Sequence, residues 1–203
     1  MSVRRWGLSS KDVSRLLSLL QPGWSRAISL VDDLNIWVEV SSAVEDSPVV
    51  QATGTLSVSD DSMPELRGHF PGRAVVPAVT LFEAWGQACV IATHVCSTCK
   101  GLSFGGDSRT QTTSPPPPSY HWARIQQARF RHVLTYSTPT QLHLSLHPPD
   151  HHEDVTTLLR WDAQALLLPS HDTDAIRLAA SAIFELTTPS TSATIEIPFS
   201  IST

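Results

Sequence analysis

The sequence predicts an α+β domain: one long, buried helix set against a mainly antiparallel sheet. From Ala78 to Val95 the chain carries a single formal charge, Glu83, so a helix there is apolar on nearly every side and belongs in an interior. On both sides of it lie stretches in which apolar residues alternate with polar ones, the pattern of half-buried strands. The 203 residues, 41% of them hydrophobic, suit one domain with a full core.

The elements follow in order. Residues 1–9 hold Arg4 and Arg5 and no acid. That is the composition of a short mitochondrial leader, or of an N-terminus with no part in the fold. Lys11 to Leu20 reads as a helix with Val13, Leu16, Leu17 and Leu20 on one face and Ser10 as N-cap, ended by Gln21-Pro22-Gly23. From Arg26 to Val40 the even positions Ile28, Leu30, Ile36, Val38 and Val40 are apolar, a strand. A turn at 44–47 leads to a second strand over Val49–Val58. Beyond the helix, strands are expected at His121–Val133, Gln141–Leu146, Val155–Leu167 and Ile176–Thr187. The folded domain thus runs from 10 to 188. Residues 100–119, ending in Ser114-Pro-Pro-Pro-Pro-Ser119, form a low-complexity insert, and 189–203 a Ser/Thr-rich tail.

Several function classes are disfavoured. A net charge of −5 is not that of a nucleic-acid binder. No apolar run reaches the ~20 residues that span a bilayer. Cys96 and Cys99 form a Cys-x-x-Cys pair, but with Cys89 and His94 they complete no standard zinc spacing, so ordinary reduced thiols are expected. The run His147 to Asp154 is rich in His and acids, yet a hairpin tip alone rarely encloses an ion, and no metal is expected.

The chemistry concentrates between Arg67 and Gln87. Pro71-Gly72 marks a tight turn, and Pro77 suits a first helical position. Val79, Phe82, Glu83, Gly86 and Val90 share one helix face, which places the lone carboxylate on an apolar stripe. Such a group is either half of a structural ion pair or an acid whose pKa is raised by desolvation. His69, on the turn that leads into the helix, favours the second, because imidazole suits proton abstraction near neutral pH. A base, a buried acid and the free N–H groups of a helix N-terminus are what α,β-elimination on a thioester needs.

The run Gly68-His69-Phe70-Pro71-Gly72, then Val75-Val76-Pro77-Ala78-Val79, then Glu83-Ala84-Trp85-Gly86-Gln87 closely resembles the signature of the 3-hydroxyacyl-acyl carrier protein dehydratases. The resemblance implies a hotdog fold, a curved antiparallel sheet wrapped around the central helix. It implies His69 as base and Glu83 as acid, fourteen residues on (83 − 69 = 14), acting across a dimer interface without a cofactor. Phe70, Gly72, Ala78, Val79, Gln87 and Phe130 would then line the substrate site. Arg129 and Arg131, which bracket Phe130, would engage the phosphopantetheine or the acidic surface of an acyl carrier protein. The chain departs from the family at Ala74, usually Pro, and at Ala78, usually Gly, where an added methyl crowds the thioester. A hotdog thioesterase and a non-catalytic hotdog subunit of a larger assembly are the alternatives.

Overall fold

The computed structural model describes residues 2–20, 29–40, 49–58, 74–98, 120–136, 138–147, 158–169 and 175–187. Strand β1 (Ser2–Leu8) is followed by helix α1 (Ser10–Leu20), strands β2 (Val31–Val40) and β3 (Val49–Leu56), and the long helix α2 (Ala78–Thr98). Strands β4 (His121–Phe130), β5 (Thr140–His147), β6 (Leu158–Leu167) and β7 (Arg177–Thr187) complete the order. Among the described residues the strands form one antiparallel sheet, β1-β2-β3-β5-β6-β7-β4. The chain leaves β3, traverses α2, enters the sheet at its far edge as β4, and returns to pair β5 with β3. This is the α+β hotdog arrangement, with α2 packed on one face of the sheet.

Alternation explains which face is covered. In β5 Thr140, Leu142, Leu144 and Leu146 are buried, and in β6 Leu159, Trp161, Ala163, Ala165 and Leu167 are. Both sets point to α2, whose residues from Ala84 to Cys96 are buried without a break. The indole N–H of Trp85 donates to the carbonyl of Gln164 on β6 at 3.2 Å, tying helix to sheet. Cys89 and Cys96 are buried and in no disulfide, and burial pushes the Cys89 thiol well up.

The structure shifts or changes several expectations. Residues 2–8, read as a leader, form β1, which pairs with β2 from Ser2↔Val40 to Leu8↔Leu34 and buries Trp6 and Leu8. The arginines that gave the segment its leader-like composition are exposed on this edge strand. The α1 cap is Ser9, not Ser10: the Ser9 carbonyl accepts from Val13 N–H at 2.9 Å, and Ser9 N–H donates to Asp12 Oδ2 at 3.0 Å in a reciprocal capping box. Those bonds from Ser9 hold the Asp12 carboxyl below its ordinary range. In β2 the even-numbered pattern breaks, because a register shift between Val31 and Leu34 buries Leu30 and Val31 in succession. Gly54 sits opposite that bulge, where a Cβ would lie 2.6 Å from the Asp33 carbonyl oxygen, so only glycine fits. Residues 21–28, the expected turn at 44–47, the insert 100–119 and the tail lie outside the described residues.

Strand β4 is the least regular. Its register against β7 shifts twice, between Trp122 and Arg124 and between Gln126 and Arg129. Gln127, inside the second bulge, has φ of 52°, a left-handed conformation that costs a residue other than glycine about 1 kcal/mol.

Candidate active site

The site is built around the first turns of α2. Val75 bridges Thr135, and Val76 N–H donates to the Leu134 carbonyl at 2.9 Å, which fixes the entry of the chain. The Pro77 carbonyl then accepts from Thr80 and Leu81 N–H at 3.1 and 3.3 Å. Pro77 is therefore the N-cap, one residue before the first helical position expected for it. Ala78 and Val79 precede the first intrahelical donors, so their N–H groups face outward from the helix end. Both are exposed, Val79 at 71%, which corrects the assignment of Val79 to the buried stripe: the first turn projects beyond the sheet.

Glu83 lies one turn further in and is half-buried. Its Oε1 accepts from Gln87 Nε2 at 3.1 Å, and Gln87 Oε1 accepts from the Leu30 backbone N–H at 2.8 Å. A backbone N–H can only donate, so the Gln87 oxygen faces Leu30 and its amino group faces Glu83. Among the described residues no cation pairs with Glu83. Burial raises its pKa above the ordinary value, and the Gln87 hydrogen bond offsets this in part. Among the described residues Glu83 thus has the desolvation of the acid in the second sequence reading and lacks the cation that the first requires.

Beside the helix start lies a cavity of about 260 Å³, lined by Val75–Pro77, Leu81 and residues 130–134. Phe130, 49% exposed, forms one wall and meets Phe82 with ring centroids 5.7 Å apart. Phe82 in turn contacts Trp85 and Phe184, at 6.2 and 6.1 Å. The structure thus joins Glu83 to Gln87, and separately sets Phe130 against Phe82 beside the α2 N-terminus. It separates Arg129 from Phe130: Phe130 pairs with buried Ala180, and Arg129 with Ser181 on the opposite face of the sheet. Arg131 borders the cavity. His69, Phe70 and Gly72 lie within 59–73, outside the described residues. Sequence reasoning missed Leu30 N–H and the Phe82–Trp85–Phe184 cluster. The aromatics carried a signal in their spacing on α2, whereas a backbone donor 57 residues from Gln87 carried none.

A sheet wrapped on one long helix, with a desolvated carboxylate one turn inside that helix, defines a hotdog protein with a candidate acid site. No family model matches the chain. In sequence it is similar to the 3-hydroxyacyl-acyl-carrier-protein dehydratase FabZ of Shewanella baltica, 33% identical over 87 residues, which are 42% of this chain and 46% of that protein. The FabZ of Erwinia tasmaniensis is 31% identical over 87 residues, 43% of this chain and 46% of its own. The chain therefore spans just under half the length of the curated relatives it matches. A thioesterase family protein from Silicibacter pomeroyi superposes with a TM-score of 0.41 at 9% identity, covering 85% of this chain and 96% of that one. No helix among the described residues is long and apolar enough to cross a membrane.

Proposed function

We propose that this protein removes water from 3-hydroxyacyl thioesters to give trans-2-enoyl thioesters, with the acyl group carried on acyl carrier protein. In this reading His69 takes the α-proton and Glu83 protonates the departing β-hydroxyl. The N–H groups at the start of α2 stabilise the enolate-like oxygen. The acyl chain lies against Phe130 in the apolar cavity. No redox cofactor enters, because the carbon skeleton is neither oxidised nor reduced overall.

The observation that supports this most is the state of Glu83. A carboxyl that is half-buried, unpaired by any cation among the described residues, and raised in pKa is suited to donating a proton. Thioester hydrolysis would ask the same group to be an ionised base for water, which the raised pKa opposes. The likeness to FabZ proteins points the same way. Sheet edge β4, with Ile125 and Phe130 exposed, offers a surface for a second copy, so that His69 of one subunit and Glu83 of the other would share a site.

The test is incubation with a series of 3-hydroxyacyl carrier proteins and mass analysis of the product. Loss of water with the thioester intact is expected. Release of free thiol would replace the dehydratase reading with the thioesterase one, and no reaction would leave a non-catalytic subunit. Shared sites are checked by mixing inactive His69→Ala and Glu83→Gln chains. Partial recovery of activity is expected, and no recovery despite demonstrated subunit exchange rejects the shared arrangement.

A further inference from the structure

Helix α2 leaves one side of the sheet uncovered. Among the described residues β4 is the terminal strand and pairs with β7 alone. Its Ile125 and Phe130 lie opposite Phe184 and Ala180, both fully buried, so they belong to the face turned to α2. They are nevertheless 39% and 49% exposed. An open strand edge with apolar side chains on its inner flank calls for one more layer of cover. On the outer face Arg124 is open as well: its side chain is 67% exposed, although its Nε lies 3.6 Å from Glu185.

The sequence holds a segment of matching pattern. Beyond β7, within residues that lie outside the described ones, the run Thr194-Ile-Glu-Ile-Pro-Phe-Ser-Ile201 alternates apolar and polar side chains, the period of a strand with one covered face. Its eight residues compare with the ten of β4. Pro198 has no N–H and suits a strand with a single neighbour, where its nitrogen can face outward. The run follows on β7, the neighbour of β4, through a Ser/Thr/Pro stretch of turn-forming composition. From Thr187 to Thr194 the chain reaches at most about 25 Å. The free side of β4 is two strand spacings from β7, about 10 Å, whereas the free side of β1 is six spacings away, about 29 Å, and out of reach.

We propose that residues 194–201 pair along the free edge of β4 of their own chain, with Ile195, Ile197, Phe199 and Ile201 laid over Ile125 and Phe130. The segment leaves β7, reverses direction and runs parallel to β4. In the register that sets Ile197 beside Ile125, Glu196 falls beside Arg124, so opposite charges meet on the outer face as apolar groups meet on the inner one. This edge is the one that the function proposed above gives to a second copy, and Phe130 is a wall of the acyl cavity. On that reading the segment competes with the partner subunit and keeps the shared site from forming. A tethered strand has an effective concentration on the order of millimolar, which a separate subunit at micromolar concentration does not match.

Two measurements on the full chain test this: amide exchange over residues 121–130 at a dilution where the chain is monomeric, and mass against concentration by light scattering. Ile197→Asp with Phe199→Asp puts charge on the covered face of the segment. That variant should exchange at least about tenfold faster over 121–130 and self-associate at least about tenfold more tightly. A chain ending at Thr188 should behave in the same way, and the charged variant decides the matter if the shortened chain aggregates. Glu196→Arg, beside Arg124, should give a smaller increase in exchange. Exchange over 121–130 that is unchanged in the charged variant would overturn the proposal. So would protection that appears in the wild type only as dimers form and persists in the variant, since a second copy then covers the edge. Faster exchange without tighter association keeps the segment on β4 and rejects the second copy there. If exchange and association both respond but no substrate loses water, the proposed reaction fails and the segment's place stands.

Discussion

The two halves of α2 differ in how far the rest of the fold covers them and in what their polar groups meet. From Ala88 to Cys96 every residue is buried, and of the two polar residues among them, Thr93 and His94, His94 lies 3.5 Å from the Tyr120 hydroxyl. Burial pushes His94 down to about 4 and Tyr120 up to about 12, so both are neutral across physiological pH. From Ala78 to Glu83 the helix is only partly covered, with Ala78 and Val79 exposed and Glu83 half-buried. A directed chain runs from Leu30 N–H through Gln87 to Glu83. Burial alone therefore does not distinguish Glu83 from His94. What sets Glu83 apart is incomplete burial, a donor aimed at one of its two oxygens, and an open helix end with an apolar cavity next to it.

Altering each half in turn puts this contrast to its hardest test. Glu83→Gln keeps shape and hydrogen bonding but removes the proton. If the N-terminal half is catalytic, turnover should fall by ~10²–10⁴-fold with no loss of melting temperature. Retained turnover would reduce Glu83 to a tolerated polar residue. In the other half, Ile91 is fully buried, and Ile91→Ala should cost about 2–5 kcal/mol in denaturant unfolding, with turnover per folded molecule unchanged. A comparable loss of activity in the folded fraction would show that the two halves are not separable.

A smaller effect is expected at Gln87. Gln87→Leu removes the donor to Glu83 and leaves Leu30 N–H without its acceptor. Turnover should drop by about tenfold, the scale of one hydrogen bond to a charged group. Because that bond is what offsets desolvation, Glu83 should also titrate at higher pH. A pH–rate profile separates this from simple unfolding. If kcat falls with the profile unmoved, Gln87 is structural only.

This division also explains what could be read from sequence. The buried half of α2 was legible because an apolar run of that length with one charge has to be covered on every side. Strands β3, β5, β6 and β7 were legible because one face is covered, which enforces alternation. The lone Glu83 was visible against that background. β1 was not, because two arginines and the lack of an acid outweighed the alternation of Trp6 and Leu8. Nor was the β2 bulge, since it moves the apolar residues from one parity to the other between Val31 and Leu34. The orientation of Gln87 arises from a pairing between distant segments, which composition and periodicity do not report.

The smallest effect, and the most direct reading of Glu83 itself, lies in the pH dependence of stability. In the unfolded chain Glu83 ionises in the ordinary carboxylate range, whereas in the folded chain burial holds its proton to higher pH. Between those two values the folded state binds more protons than the unfolded one, so stability falls as pH rises, and the loss is complete above the folded pKa. Glu83→Gln has no proton to lose there. The difference in melting temperature, variant minus wild type, should be near zero below the carboxylate range. It should climb through the window and level off as a positive value near neutral pH. The Gln87 bond lessens the rise without reversing it, because desolvation is the larger influence. A difference that turned negative with rising pH would mean that ionised Glu83 stabilises the fold, as half of an ion pair would. The lone carboxylate would then belong with His94, among the buried polar groups that serve only the structure.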